Sequence, residues 1–253
     1  MEKDEGVAII TIDNPPLNVL NKQVQQELGT VIPEIKEDHD VVSVLLTTAG
    51  EKAFMAGTDI KEFPQMMKNP NRKESVMFMH SVLNELDYLP KPTIAVLDGL
   101  TYGGGLELAL TCDIRIAEEN TKLGFPEINL GLFPGGAGTQ RLPRLVGEAK
   151  AKEMMYIGDP ITSKEALSIG LVNQVVENGT GYEIALKMAN TIAEKSLQAL
   201  ARIKKATDEG LTMSLQEGIE HEAALFEEVF QTEDIKEGVD AFIHKRKPQF
   251  KHQ

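Results

Sequence analysis

The stretch Thr101-Tyr-Gly-Gly-Gly-Leu-Glu-Leu-Ala-Leu-Thr-Cys-Asp113 is the most informative part of the sequence. Its three consecutive glycines follow the apolar run 94–97 and precede an apolar segment, which predicts a strand, a tight turn and a helix. Glycine lets the main chain adopt unusual angles and lets a ligand approach bare N–H groups. A helix that begins there points its unpaired N–H donors at the same place. We therefore expect the Gly104 N–H to bind a developing oxyanion and Glu107 to transfer protons beside it.

The composition predicts a soluble cytoplasmic protein. The chain has 253 residues, of which 42% are hydrophobic, enough for one large domain or a domain with an appendage. The net charge of −13 argues against nucleic-acid binding, because phosphate backbones need a basic surface. The start, Met1-Glu-Lys-Asp-Glu, lacks the features of a signal peptide. No apolar run approaches the ~20 residues of a membrane span, so we expect no membrane association.

Strand-like and helical patterns alternate first, and from residue 181 onward the pattern is nearly all helical. Apolar residues spaced by three and four over 24–35 predict an amphipathic helix that kinks or ends early at Pro33. Residues 64–73, with two prolines and two asparagines, are expected to be exposed and mobile. Thr162-Ser-Lys-Glu165 fits a helix capping box. Together these patterns predict an α/β body with a helical C-terminal appendage.

Two glutamates are candidate proton-transfer groups. Glu107 lies in an apolar helix, where a carboxylate is costly to bury unless it is paired or functional, and pairing with Arg115 or Arg141 is the structural alternative. Glu127 lies between apolar residues on a turn, and its alternative is a solvated surface acid. If the two acids meet at one site, they could position one water molecule and divide the roles of base and acid.

The loop Phe54-Met-Ala-Gly-Thr58 is the candidate source of a second N–H donor, at Thr58, although an ordinary connecting loop would look the same.

The sequence lacks the motifs of nucleotide-binding, serine-nucleophile and metal sites. The glycine turn is neither a dinucleotide fingerprint nor a P-loop, and no Gly-x-Ser-x-Gly motif is present. The single cysteine, Cys112, is expected in the core. Metal binding is not expected, since five histidines are scattered without ligand spacing: His39, His80, His221, His244 and His252.

Eight segments, taken in order, resemble motifs of the crotonase superfamily, and most closely those of enoyl-CoA hydratase. The resemblance runs from about residue 5 to the C-terminus. The segments are Asn14-Pro-Pro-Leu-Asn-Val-Leu20, Lys52-Ala-Phe-Met-Ala-Gly-Thr-Asp-Ile-Lys-Glu62, Gly103-Gly-Gly-Leu-Glu-Leu-Ala109, Cys112-Asp113, Phe125-Pro-Glu127, Gly131-Leu-Phe-Pro-Gly-Gly-Ala-Gly-Thr-Gln-Arg-Leu142, Gly170-Leu-Val172 and Phe242-Ile-His-Lys-Arg246.

The resemblance implies an α/β fold, a crotonase-like spiral of ββα units with a C-terminal helical trimerisation region. Residues 1–195 would form the spiral core with the active site, and residues 196–253 the helical oligomerisation region. The family forms homotrimers, often paired into hexamers.

The resemblance also implies roles for particular residues. The thioester oxygen of an acyl-CoA would lie between the N–H groups of Thr58 and Gly104. Glu107 would act as base on the added water, and Glu127 would exchange the proton at the α-carbon. Coenzyme A enters as part of the substrate, and no other cofactor and no metal is implied. The implied substrate-binding and CoA-binding residues are Lys52, Phe54, Ala56, Gly57, Asp59, Ile60, Gly103, Pro134, Gly135 and Lys245.

The expected activity is hydration of a trans-2-enoyl-CoA to a 3-hydroxyacyl-CoA, in fatty-acid or branched-acid degradation. The alternatives are a Δ3,Δ2-enoyl-CoA isomerase, a methylglutaconyl-type or other specialised hydratase, and a non-catalytic relative that binds acyl-CoA or RNA. The presence of both glutamates favours a hydratase, because isomerisation needs only one acid. Two departures from the family pattern bear on acyl preference: Thr58 replaces a common alanine, and Asn14-Pro-Pro-Leu-Asn18 replaces a common Arg-Pro opening.

Overall fold

Two β-sheets and the helices around them make up the computed structural model, which describes residues 1–253. The ten strands are β1 Glu2–Asp4, β2 Val7–Ile12, β3 Ser43–Thr48, β4 Met55–Ala56, β5 Thr93–Leu97, β6 Leu100–Tyr102, β7 Ile114–Glu118, β8 Lys122–Gly124, β9 Ile161–Thr162 and β10 Gln174–Val176. The α-helices are α1 Lys22–Glu37, α2 Phe63–Lys68, α3 Arg72–Asp87, α4 Gly104–Ala109, α5 Gly138–Val146, α6 Glu148–Ile157, α7 Ser163–Ser168, α8 Gly181–Ala193, α9 Leu197–Gly210, α10 Leu215–Val229 and α11 Glu233–Ile243. Two 3₁₀ helices cover Ile60–Glu62 and Pro126–Leu130.

The larger sheet has the strand order β1-β2-β3-β5-β7-β10, and only β1 runs antiparallel to its neighbour. Its central strands β3 and β5 are buried along their whole length because both faces are covered. In β2, Ala8 and Ile10 face the main core, whereas Val7 and Ile9 face a second cluster that α8 covers with Ala185. This two-sided burial explains why these strands appear in the sequence as continuous apolar runs rather than as alternating patterns.

A β-β-α unit repeats along the chain. In each unit the first strand belongs to the larger sheet and the second to the smaller sheet, whose order is β4-β6-β8-β9. The units are β3-β4 followed by α2 and α3, β5-β6 followed by α4, and β7-β8 followed by α5. The expectation of an α/β spiral of ββα units is therefore confirmed.

The chain reaches the glycine turn differently from the sequence prediction. The prediction joined the strand at 94–97 directly to the turn, but β6 of the smaller sheet intervenes. Gly99 makes the crossing between the sheets feasible, because a Cβ at this position would lie only 2.6 Å from the carbonyl oxygen of Lys52. The error arose because β6 has three residues, too few for a periodic signal.

One further expectation needs correction. Of the two outcomes expected at Pro33, the early end is wrong, because α1 continues to Glu37 with Ile32 and Ile35 on either side of the proline both buried in the main core. Tertiary packing here outweighs the hydrogen bond that proline removes. Residues 64–73 lie mostly at the surface, as expected, and they include most of α2 and the start of α3, while their mobility stays a prediction.

The C-terminal helices follow α8, as the sequence predicts. The hydroxyl of Ser196, which caps α9, donates to buried Asp234 at 2.6 Å. The other carboxylate oxygen of Asp234 accepts N–H bonds from Lys251 and His252, so α9, α11 and the tail are joined at one residue. The boundary at 195/196 stays a prediction. No helix combines the length and the apolar character that a membrane crossing requires.

Candidate active site

The glycine turn is a point of close contact between three chain segments. Gly103 has φ +50° and ψ −123°, and a Cβ on it would lie 2.7 Å from Oε1 of Glu127. A Cβ on Gly104 would lie 2.7 Å from Oγ1 of Thr58, and one on Gly105 only 2.2 Å from the carbonyl oxygen of Met55. Each glycine therefore makes room for a different neighbour, which explains why three occur in succession.

The N–H groups of Thr58 and Gly104 lie near each other, and neither donates to another backbone group. The Cβ position of Gly104 is 3.4 Å from the nitrogen of Thr58. Gly104 is the first residue of α4, so its N–H cannot be used inside the helix. The turn and the loop that carries Thr58 thus bring two unused main-chain donors to one place, as an oxyanion hole requires.

Asn18 holds the loop that carries Thr58. Its buried side-chain amide donates to the carbonyl oxygens of Ala49 (2.9 Å) and Ala53 (3.0 Å). Two residues on, the N–H of Leu20 donates to the carbonyl of Gly57 at 2.8 Å. The segment around Asn18 therefore fixes the loop at both ends and sets the direction of the Thr58 N–H.

Glu107 is buried in α4 with 2% of its surface exposed. Its Oε1 accepts N–H bonds from Gly136 (2.6 Å) and Gly138 (2.8 Å) in the second glycine-rich loop. Burial raises the pKa of Glu107 to about 7 and the charge of Glu127 adds to the rise, while the two N–H bonds and Arg141 oppose it. A carboxyl group with a pKa near 7 can exchange protons readily at neutral pH.

Glu127 lies in the 3₁₀ helix Pro126–Leu130 and is half-buried. Burial raises its pKa above the ordinary value of 4.5. Its Oε2 is buried and receives no hydrogen bond from the protein. Since hydrogen-bond donors favour the charged form, the environment of this oxygen favours the protonated acid.

The two acids approach the same turn from different elements. The N–H of Glu107 donates to the carbonyl of Gly103 at 2.9 Å, and Oε1 of Glu127 lies beside the Cα of that glycine. Two acids and two free N–H donors around one turn can stabilise an oxyanion and move protons on the adjoining carbon atoms. The pairing of Glu107 with Arg115 or Arg141, the structural alternative, is not present: Arg115 bonds main-chain carbonyls and Arg141 pairs with Asp87.

The other predicted binding residues fall into three groups. Lys52, Ala56, Gly57, Asp59 and Ile60 lie in the segment that leads to Thr58 or just after it, with Lys52 and Ile60 exposed. Phe54 lies there too, but its side chain is fully buried in the main core, so any ligand contact would come from its main chain. Pro134 and Gly135 directly precede Gly136, the donor to Glu107. Lys245 is exposed just after α11, and no contact joins it to the glycine turn within this chain.

Sequence reasoning missed three parts of this arrangement: the clamp by Asn18, the N–H bonds from Gly136 and Gly138 to Glu107, and the ion pair of Arg141 with Asp87. The segment Gly131–Leu142 entered the prediction only as a family motif with implied binding residues Pro134 and Gly135, and not as a support for Glu107. A signal was available, since a second run of glycines opening a helix indicates another set of free N–H donors.

Comparisons with known proteins agree on one family. A sequence profile described as enoyl-CoA hydratase/isomerase matches residues 2–253. The chain is 43% identical to a short-chain-enoyl-CoA hydratase of Clostridium acetobutylicum, over 98% of this chain and 95% of that one. It is 39% identical to a crotonyl-CoA hydratase of Syntrophomonas wolfei, over 99% and 96%. A crystal structure of an enoyl-CoA hydratase from Bacillus anthracis superposes with a TM-score of 0.95 at 37% identity, covering 100% of this chain and 98% of the other. The chain belongs to the enoyl-CoA hydratase/isomerase family.

Proposed function

We propose that this protein is an enoyl-CoA hydratase, which adds water across the trans-2 double bond of an enoyl-CoA thioester to give a 3-hydroxyacyl-CoA. The observation that carries the proposal is the meeting of Glu107, Glu127 and the free N–H groups of Thr58 and Gly104 at one glycine turn. Membership of the family and the names of the relatives support the same reaction.

In the proposed reaction, the thioester oxygen accepts the N–H bonds of Thr58 and Gly104. Glu107 takes a proton from water while the hydroxide adds to the β-carbon, and the negative charge that develops passes to the thioester oxygen. Glu127 then gives its proton to the α-carbon, and the two acids exchange one proton to return to their starting state. Preorganised main-chain donors stabilise the charged oxygen without having to reorient.

The surroundings of the two acids support this division of roles. Two N–H bonds on one oxygen of Glu107 oppose the rise in pKa that burial causes, so near pH 7 its charged form, the form needed by a base, is populated. Glu127 has a buried oxygen with no protein donor, which favours the protonated form, the form needed by an acid. Hydration neither oxidises nor reduces the substrate, so the reaction requires no redox cofactor, and coenzyme A is part of the substrate itself.

The assembly and the setting of the enzyme are further parts of the proposal. The C-terminal helices expose large apolar side chains, including Leu215, Ile219, Phe226 and Phe242. Such surfaces mark interaction sites, and we propose that they join chains into a trimer or a pair of trimers. A mass in solution near that of one 27.8 kDa chain would contradict this assembly. The acidic net charge favours solubility and supports the proposal of a cytoplasmic enzyme. The proposed pathway, degradation of fatty or branched acids, follows from the proposed reaction.

The activity test is the loss of the conjugated-thioester absorbance of crotonyl-CoA when the protein is added. We expect rapid loss of absorbance and formation of 3-hydroxybutyryl-CoA, identified by mass. A parallel assay with a trans-3-enoyl-CoA separates the isomerase alternative, because isomerisation to the trans-2 ester would raise the same absorbance. Conversion of the 3-enoyl ester with no hydration of crotonyl-CoA would contradict the proposal. A panel of esters of increasing length and branching then defines the preferred acyl group.

A further inference from the structure

Three polar side chains join helix α3 to helix α5 next to the site. The guanidinium of Arg141 donates to Oδ2 of Asp87 from Nε at 2.8 Å, and its Nη2 lies 2.7 Å from the same oxygen. Nη2 also donates to Oδ1 of Asn84 at 2.7 Å. The side chain of Arg141 is only 13% exposed, so this group is held from several directions and largely shielded from solvent.

Arg141 is linked to Glu107 through a single residue. Its Nη1 lies 3.4 Å from the carbonyl oxygen of Gly136, and the N–H of Gly136 donates to Oε1 of Glu107 at 2.6 Å. The N–H of Arg141 also donates to the carbonyl of Ala137 at 2.9 Å. Arg141 therefore contacts the loop that holds the Glu107 carboxylate without contacting the carboxylate.

Few charges act on Glu107. Glu127 approaches from the 3₁₀ helix and Arg141 from α5, whereas Asp87 of α3 faces Arg141 and partly neutralises it. The positive charge of Arg141 favours the ionised form of Glu107 and opposes both burial and Glu127. No ion pair joins Glu107 to Arg141, so the effect acts through space across the loop.

We propose that Arg141 is a positioning residue that fixes the loop around Glu107 and, by its charge, keeps the Glu107 carboxylate available as a base, with Asp87 moderating that charge. The proposal rests on the function proposed above. It gives the Asn84–Asp87–Arg141 cluster a part in the reaction although none of its members reaches the glycine turn.

The test is the pH dependence of kcat/KM for crotonyl-CoA in Arg141→Gln and Asp87→Asn. Arg141→Gln removes the favourable charge, so the midpoint of the acid limb should move to higher pH, by roughly 0.5 to 1 unit. Asp87→Asn leaves the charge of Arg141 less neutralised, so its midpoint should move to lower pH. Arg141→Lys keeps the charge but not the forked contacts, so it should lower kcat at every pH and keep the midpoint.

Arg144→Gln is the matched control, because it removes the same charge from the same helix at an exposed residue whose guanidinium donates only to the carbonyl of Gln140. Its midpoint should equal that of the wild type. If Arg141→Gln lowers activity equally at all pH values with no shift, Arg141 is merely structural and the inference is overturned. Equal shifts in Arg144→Gln and Arg141→Gln would also overturn it, since they would reflect net charge alone.

A readout without turnover separates this inference from the proposed function. If the wild type does not hydrate crotonyl-CoA, the proposed function fails, and the side-chain carboxyl of Glu107 is titrated by carbon NMR instead. A higher pKa of Glu107 in Arg141→Gln than in the wild type supports the inference. An unchanged pKa contradicts it.

Discussion

Glu107→Gln and Glu127→Gln should each lower kcat for crotonyl-CoA hydration by about 10²–10⁴-fold, the contribution typical of a positioned acid or base. Glutamine keeps the size of the side chain but cannot take or give the proton. Saturated acyl-CoA should bind both variants with nearly unchanged affinity, because the N–H donors of Thr58 and Gly104 remain. Steady-state kinetics and calorimetric binding measure the two quantities.

Glu118→Gln is the control for this prediction. Glu118 is also buried and accepts a main-chain N–H, from Gly181 at 3.0 Å, but it lies at the end of β7, away from the glycine turn. Its glutamine variant should hydrate crotonyl-CoA like the wild type. If Glu107→Gln and Glu127→Gln also hydrate at the parent rate, the two-acid mechanism is wrong.

The Glu107→Gln substitution should also change how the free energy of unfolding depends on pH. Burial raises the pKa of Glu107 to about 7 in the folded chain, so between pH 4.5 and 7 the folded state binds a proton that the unfolded state has lost. The free energy of unfolding therefore falls as pH rises through this window, by an amount on the order of 3 kcal/mol from this group. Glutamine does not titrate, so the free energy of unfolding, measured in urea, should fall less between pH 5 and pH 8 in Glu107→Gln than in the wild type. Parallel pH profiles would contradict the raised pKa.

Gly136→Ala should lower kcat by about 10²-fold, the effect of moving a catalytic group by about 1 Å. A Cβ on Gly136 would lie 2.4 Å from Oε2 of Glu107 and 2.9 Å from its Cδ, so the carboxylate must leave its position. Gly210, at the end of α9 and outside the site, provides the comparison, since a Cβ there would meet no atom closer than 3.9 Å. The two variants should have similar melting temperatures but very different kcat values. Equal kcat values would show that Gly136 does not determine where Glu107 lies.

Local patterns in the sequence predicted much of the fold. The capping box at Thr162 to Glu165 begins α7, and the helical pattern predicted after residue 181 corresponds to α8 to α11. The apolar runs of the larger sheet were recognisable because burial on both faces leaves few polar residues in them. By contrast, β6 is too short for any period, and α1 passes through Pro33 because of packing that only the tertiary structure reveals.

The candidate site was predictable where a side chain or a glycine carries the signal. Gly104 and Glu107 stood out in one stretch, whereas bringing Thr58 and Glu127 to the same turn required a family resemblance, and the roles of all four stay predictions. The second glycine run indicates free N–H donors, but the sequence does not show which carboxylate they face, so the donors to Glu107 were not predicted. Arg141 was considered only as a partner of Glu107, and its contact with Asp87, 54 residues away, depends on how α3 packs beside α5.

The groups proposed to face the thioester oxygen, and those that hold Glu107, belong to the peptide backbone. Evolution or an engineer can therefore exchange exposed side chains around the site without rebuilding these main-chain contacts. The freedom ends at the glycines, where even one methyl group intrudes on a neighbour. A library that diversifies the exposed side chains of α2 and of the first turn of α3, while leaving both glycine runs and the Asn84–Asp87–Arg141 cluster untouched, is the natural starting point for new specificities.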